Sequence, residues 1–104
     1  MEQKLLKIIN HYGVLPQLKY FQSEVFELNE AIITFEKSEE ESCYSSVSVS
    51  RLAQEREHIV EEIADVMVML EQFKNYYDIS SEEITNIFWS KVDRQLSRIE
   101  RGEE

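Results

Sequence analysis

Four acids in this chain stand at spacings that suit chemistry. Glu24 and Glu27 are three residues apart, and so are Glu62 and Asp65. Each directly precedes an apolar residue: Val25, Leu28, Ile63 and Val66. Successive helical residues turn by about 100°, so this phase puts every one of the carboxylates beside an apolar stripe, not opposite it. If the two helices pack together, all four converge at one edge of the pair. Converging carboxylates repel, so they need protons, cationic partners or a metal ion. An all-oxygen ligand set suits Mg²⁺ or Mn²⁺, and Mg²⁺ in particular favours a few carboxylates together with substrate phosphates. The plainer alternative is a solvated acidic face. With 21 acids in 104 residues such pairs arise by chance, and Glu27 with Glu30 already makes another.

The elements that would position these acids read as helices, since two Gly and one Pro are the only strong backbone breakers. A first helix is predicted over about Glu2 to Tyr12, ended by Gly13, with Pro16 in the first turn of a second. The second carries the seam Leu18, Phe21, Val25, Leu28, Ile32, Phe35, whose spacings alternate 3 and 4 as helix-on-helix packing requires. It fades into a Ser-rich loop at about 38–50. Ser46 to Ser50 alternate with Val47 and Val49, a strand pattern, but no other segment offers a partner strand. A third helix is predicted from near Arg51, with the seam Ile59, Ile63, Val66, Leu70, Phe73, Tyr77. Ser80 and Glu83 have capping-box spacing for a fourth, which should bury Ile84, Ile87, Phe88, Val92, Leu96 and Ile99 and fray at Gly102. The expected architecture is one all-α domain over 1–104: an antiparallel helix hairpin with flanking helices, of four-helix-bundle type, assembled as an oligomer.

Charge and size bound the partners. Eleven Lys and Arg against 21 acids leave a net charge of −10, which excludes simple attraction to nucleic acid or an anionic membrane as the main activity. Phosphorylated small molecules remain open, because a divalent cation can mediate between carboxylates and phosphates. Cys43 is the single cysteine, so an intramolecular disulfide is impossible and a cysteine-based zinc site is disfavoured. A chain this short leaves much apolar surface uncovered, and self-association into a dimer or tetramer is expected. No segment approaches the ~20 apolar residues a membrane span needs, so a cytoplasmic protein is expected.

The text around the acids resembles a known family. E-V-F-E-L-N-E-A-I (Glu24 to Ile32) and E-E-I-A-D-V-M-V-M-L (Glu61 to Leu70) are similar to the paired motifs of the MazG-like, all-α nucleoside triphosphate pyrophosphohydrolases. Y-G-V-L-P-Q-L (Tyr12 to Leu18) and K-V-D-R-Q-L-S-R-I (Lys91 to Ile99) resemble small members of the same family. The resemblance implies that Glu24, Glu27, Glu62 and Asp65 hold Mg²⁺, one of them also orienting the attacking water. It implies cleavage of a nucleoside triphosphate to monophosphate and pyrophosphate, in a homo-oligomer whose helices pack across subunits. Two departures are Ser23, where many relatives carry a further acid, and the long Ser-rich connection between Glu27 and Glu62.

Several other residues have two readings. Lys91, Arg94, Arg98 and Arg101 recur at spacings of 3, 4 and 3 beside the apolar face of the fourth helix. Lys91 and Arg94 could contact substrate phosphates; equally, cations near a helix C-terminus complement its dipole. His58 lies one turn before Glu62 and reads as a partly exposed helical histidine. Trp89, Tyr20 and Tyr44 could stack on a base but more simply pack, as do Met67 and Met69. The alternative to an enzyme is a non-catalytic acidic helical interaction module.

Overall fold

The computed structural model describes residues 2–42 and 48–102, in four helices: α1 (Glu2–Tyr12), α2 (Val14–Glu41), α3 (Val49–Tyr76) and α4 (Ser81–Glu100). The class is all-α, and no strand occurs among the described residues. Gly13 joins α1 to α2 at φ 90°, a backbone conformation costly for any residue with a Cβ. Its N–H still closes on the Ile9 carbonyl at 2.8 Å, so α1 ends without an orphaned turn. Pro16 falls in the first turn of α2, where no intrahelical donor is required. The Ser80 hydroxyl accepts from the Glu83 N–H at 3.1 Å while the Glu83 carboxylate accepts from the Ser80 N–H at 2.8 Å; this is the expected capping box.

The α2–α3 hairpin is antiparallel, as its rungs show. Gln17 donates to Gln72 across 2.8 Å at one end, Phe21 meets Phe73 edge-on with centroids 5.7 Å apart, and Ser38 donates to Glu55 at 2.8 Å at the other end. Arg51 clamps that far end, donating to Ser38 at 3.0 Å and to Glu55 at 3.0 Å. α1 packs against both long helices and inserts the fully buried Ile9.

The buried stripe is rotated from the one apolarity predicts. On α2 it runs through Gln17, Glu24, Ala31 and Ser38, with Phe21, Leu28 and Phe35 half-buried between them. Leu18 and Ile32, predicted in the seam, are about 40% exposed. On α3 Glu62, Met69 and Gln72 are buried, whereas Ile63, Leu70 and Tyr77 are exposed. At four predicted seam positions, Leu18, Ile32, Ile63 and Leu70, the residue one position earlier is buried instead, about 100° round the helix. The apolar face is wider than one partner helix covers, and the hairpin closes over its polar margin.

Two further expectations are corrected. α2 runs to Glu41 and α3 begins at Val49, so the loop is shorter than 38–50; residues 43–47, including Cys43 and Tyr44, lie outside those described. α4 buries none of its apolar residues. Only Val92 is half-buried, while Ile84, Ile87, Phe88, Trp89, Leu96 and Ile99 are exposed. The physical reason is local: Asp78 turns the chain at φ 53°, the capping box restarts the helix, and Lys74 ties the start of α4 by donating to Ser81 at 2.8 Å. α4 consequently packs on none of the other three helices. No helix among the described residues is long and apolar enough to cross a membrane.

Candidate metal centre

Glu24 reaches the site from α2, and Glu62 and Asp65 from α3, near the middle of the hairpin. One carboxylate oxygen from each lies within 4.8 Å of the other two. Glu24 and Glu62 are only 5% and 7% exposed, while Asp65 is open to solvent. One oxygen of each buried acid, Glu24 Oε2 and Glu62 Oε2, has no hydrogen-bond partner among the described residues. Buried polar atoms in folded proteins are nearly always paired, so these carboxylates could hold a metal ion; Glu55 Oε2, outside the group, is also unpartnered.

Glu27 is exposed and not one of this close group. It is near enough for its charge to act on both buried carboxylates. Burial raises the Glu24 carboxyl above its ordinary range; a hydrogen bond with Tyr20 opposes that, and Glu27, Asp65 and Glu62 add to it. Burial likewise raises Glu62, helped by Glu27, while His58 pulls the other way. Both modulators stand one turn before the acid they touch. His58 Nε2 lies 3.7 Å from Glu62 Oε1, and its Nδ1 is 3.9 Å from Glu61. The Tyr20 hydroxyl is raised in turn by its bond to Glu24.

Lys91 and Arg94 are exposed on α4, away from these acids, and neither forms an ion pair among the described residues. The structure therefore gathers three of the four predicted carboxylates, keeps Glu27 at the rim, and leaves both cations apart within one chain. Met69 packs as read, whereas Met67 is exposed.

Two cavities flank the acids. One, of about 500 Å³, is lined by Tyr12, Pro16, Tyr20, Glu24 and Asp65, with Gln72 among its buried polar residues. The other, of about 600 Å³, is lined by Phe26, Glu27, Gln54, Glu55, His58 and Glu62. Sequence reasoning missed the Gln17–Gln72 pair and the Tyr20 contact. The signal for Tyr20 was the i, i+4 spacing to Glu24, the same as His58 to Glu62. No family model, no curated protein and no solved structure matches this chain.

The two raised carboxyls set a pH dependence. A carboxyl whose folded pKa is raised holds its proton more tightly folded than unfolded, so its stabilising share is present at low pH and lost as pH rises through the folded value. Glu55, lowered by Ser38 and Arg51, and Glu83, lowered by Ser80, work oppositely and lose their share only as pH falls below the ordinary carboxyl value of 4.5. The metal-free protein is therefore expected to melt at falling temperature as pH climbs above the ordinary carboxyl value of 4.5. Thermal melts in chelator on wild type and on Glu24→Gln/Glu62→Gln check this. The variant should show the flatter slope, and parallel slopes would remove these two groups as the cause.

Proposed function

We propose that this chain is a divalent-cation-dependent nucleoside triphosphate pyrophosphohydrolase of the MazG-like all-α kind, working in the cytoplasm as a homo-oligomer. The observation that carries the reading is that Glu24, Glu62 and Asp65 each bring one carboxylate oxygen within 4.8 Å of the others, Glu24 and Glu62 being buried with one oxygen each unpartnered. A hard cation with oxygen ligands fits that donor set, and no nitrogen or sulfur ligand is needed. Glu24, Glu62 and Asp65 would hold Mg²⁺, or Mn²⁺ in its place. Bound there, the cation supplies neutralisation of phosphate charge and a more acidic water.

The chain's own residues do the remainder. Glu27, exposed at the rim, would orient a water and take its proton as the oxygen adds to the α-phosphorus. The bond from that phosphorus to the α–β bridging oxygen breaks, leaving a monophosphate and pyrophosphate. The Tyr12–Pro16–Tyr20 cavity, at about 500 Å³, has room for a nucleoside against aromatic rings, with Glu24 and Asp65 at its edge. His58, in ion-pair range of Glu62, limits repulsion among the acids.

The uncovered apolar face of α4 favours a second reading, an acidic helical interaction module without turnover. One assay separates them. The protein is incubated with ribo- and deoxyribonucleoside triphosphates plus Mg²⁺ or Mn²⁺, and products are resolved by chromatography. Monophosphate and pyrophosphate in equal amounts are expected, and none without the cation. Release of inorganic phosphate alone would mean a phosphohydrolase that cuts a different bond, and no turnover of any nucleotide would leave the interaction module.

A further inference from the structure

Glu55 stands outside the acid centre, and its two oxygens are treated differently. Ser38 and Arg51 both donate to Oε1, at 2.8 and 3.0 Å, while Oε2 is buried without a partner among the described residues. Those two donors hold the carboxyl below its ordinary range, so Glu55 is charged at neutral pH. The cavity of about 600 Å³ beside it is lined also by Glu62, whose side chain is only 10% exposed. His58 sits 3.7 Å from Glu62 Oε1, which leaves Glu62 Oε2 as a second unpartnered oxygen at this cavity.

Both acids belong to one face of α3. They are seven residues apart, just under two helical turns, which is roughly 10.5 Å along the axis at 1.5 Å per residue. The wall from α2 brings Phe26, Ala31 and Thr34, with Glu27 and Glu30. No Lys or Arg lines this cavity among the described residues, although α2 and α3 together carry 13 acids against five Lys and Arg. A second divalent ion does not fit. Such an ion gathers several oxygens within a few ångström, and Glu55 belongs to no group of that kind among the described residues. An ammonium group, by contrast, donates to carboxylates one at a time. Two ammonium groups joined by methylenes match two lone carboxylates set two turns apart beside a partly apolar wall.

We propose that this cavity binds an aliphatic polyamine, one ammonium on Glu62 and another on Glu55, with the methylenes along Phe26 and Ala31. The terminal torsion of a Glu side chain is soft, so a modest turn brings each buried oxygen to the cavity face. Methylene stems cover apolar wall while their charged ends keep polar partners, as Lys side chains do. The negative hairpin draws a multivalent cation from solution. Glu62 is shared with the acid centre, so the polyamine and a divalent cation held there weaken each other by one factor. None of this depends on nucleotide turnover.

Titration calorimetry on the metal-free, full-length chain tests this without nucleotide. The probes are spermidine, 1-aminobutane and hexaamminecobalt(III), which carries the charge of spermidine in a compact shape. Ionic strength is held at about 0.15 M, where exposed charges are screened beyond about 8 Å. One spermidine per chain is expected, bound at least tenfold more tightly than 1-aminobutane. Glu55→Gln keeps an acceptor for Ser38 and Arg51 but sets an amide donor where Oε2 stands. It should weaken spermidine at least tenfold and leave hexaamminecobalt(III) unchanged. Glu57→Gln makes the same charge change on an exposed residue off the cavity, and should bind spermidine as wild type does. Thr34→Lys, at an exposed position on the cavity wall, supplies an ammonium from the chain itself and should remove the tight site; it decides the matter if Glu55→Gln does not fold. No spermidine binding, equal losses in Glu55→Gln and Glu57→Gln, or wild-type affinity in Thr34→Lys would overturn the proposal. A failed nucleotide assay would leave these results standing, and their failure would leave the hydrolase reading untouched.

Discussion

Asp65→Asn is expected to abolish Mg²⁺-dependent turnover without weakening the metal-free fold. Asp65 is the exposed member of the close acid group, so its replacement leaves no cavity and no buried orphan. It does remove one of the charges that raise Glu24 and Glu62. Relieved of that repulsion, the variant should melt in chelator at the wild-type temperature or above it. Mg²⁺ acts in the opposite sense. A ligand bound only by the folded state stabilises it by about 2.7 kcal/mol at a hundredfold excess over Kd, and wild type should show that rise. The variant should lose most of it, while turnover falls by about 10²–10³-fold, the scale for removing one charge-stabilising group at a reacting centre. A solvated acidic face predicts otherwise: a surface change worth about ±0.5 kcal/mol and equal Mg²⁺ responses. Melts of both proteins in chelator and in excess Mg²⁺ decide between them.

The acid cluster is legible from spacing set against the apolar seam. Glu24 and Glu62 each sit one residue before a seam position, and that phase was enough to place them on facing helices. Their depth was not legible. They are buried because the hairpin closes over the polar margin of its apolar face, at Gln17, Glu24, Ser38, Glu62 and Gln72. Periodicity cannot show this, since a stripe and its neighbour one residue back have the same period. The α4 error has a different cause. The Ser80–Glu83 cap forms as expected, but helical periodicity shows only that a face is apolar and says nothing of whether anything covers it.

These two outcomes are one physical fact. A hairpin that buried Leu18, Ile32, Ile63 and Leu70 fully would turn Glu24 and Glu62 out to water, away from the burial that raises them. By burying the polar margin instead, the chain raises Glu24 and Glu62 and leaves two of their oxygens unpartnered. The cost is a broad apolar surface left outward, which is open on this chain and matched by the open stripe of α4. Forming the acid centre and leaving that apolar surface open are therefore consequences of the same helix rotation.

Glu27→Gln should separate holding the cation from using it. Glu27 is exposed and stands outside the 4.8 Å group, so the buried carboxylates of Glu24 and Glu62 are expected to keep their positions when it changes. Most of the Mg²⁺-induced rise in melting temperature is expected to survive, unlike in Asp65→Asn. Gln keeps the size and hydrogen-bonding reach of Glu but cannot take a proton. If Glu27 is the base, turnover should fall by about 10²–10⁴-fold, the usual contribution of a positioned proton acceptor, while the helical circular dichroism is unchanged. Two results would rewrite its role. Wild-type turnover would mean that another group activates the water. Loss of the Mg²⁺ response equal to that of Asp65→Asn would make Glu27 a ligand, moved inward when the cation binds, and would restore the four-carboxylate centre that the spacing of the acids predicts.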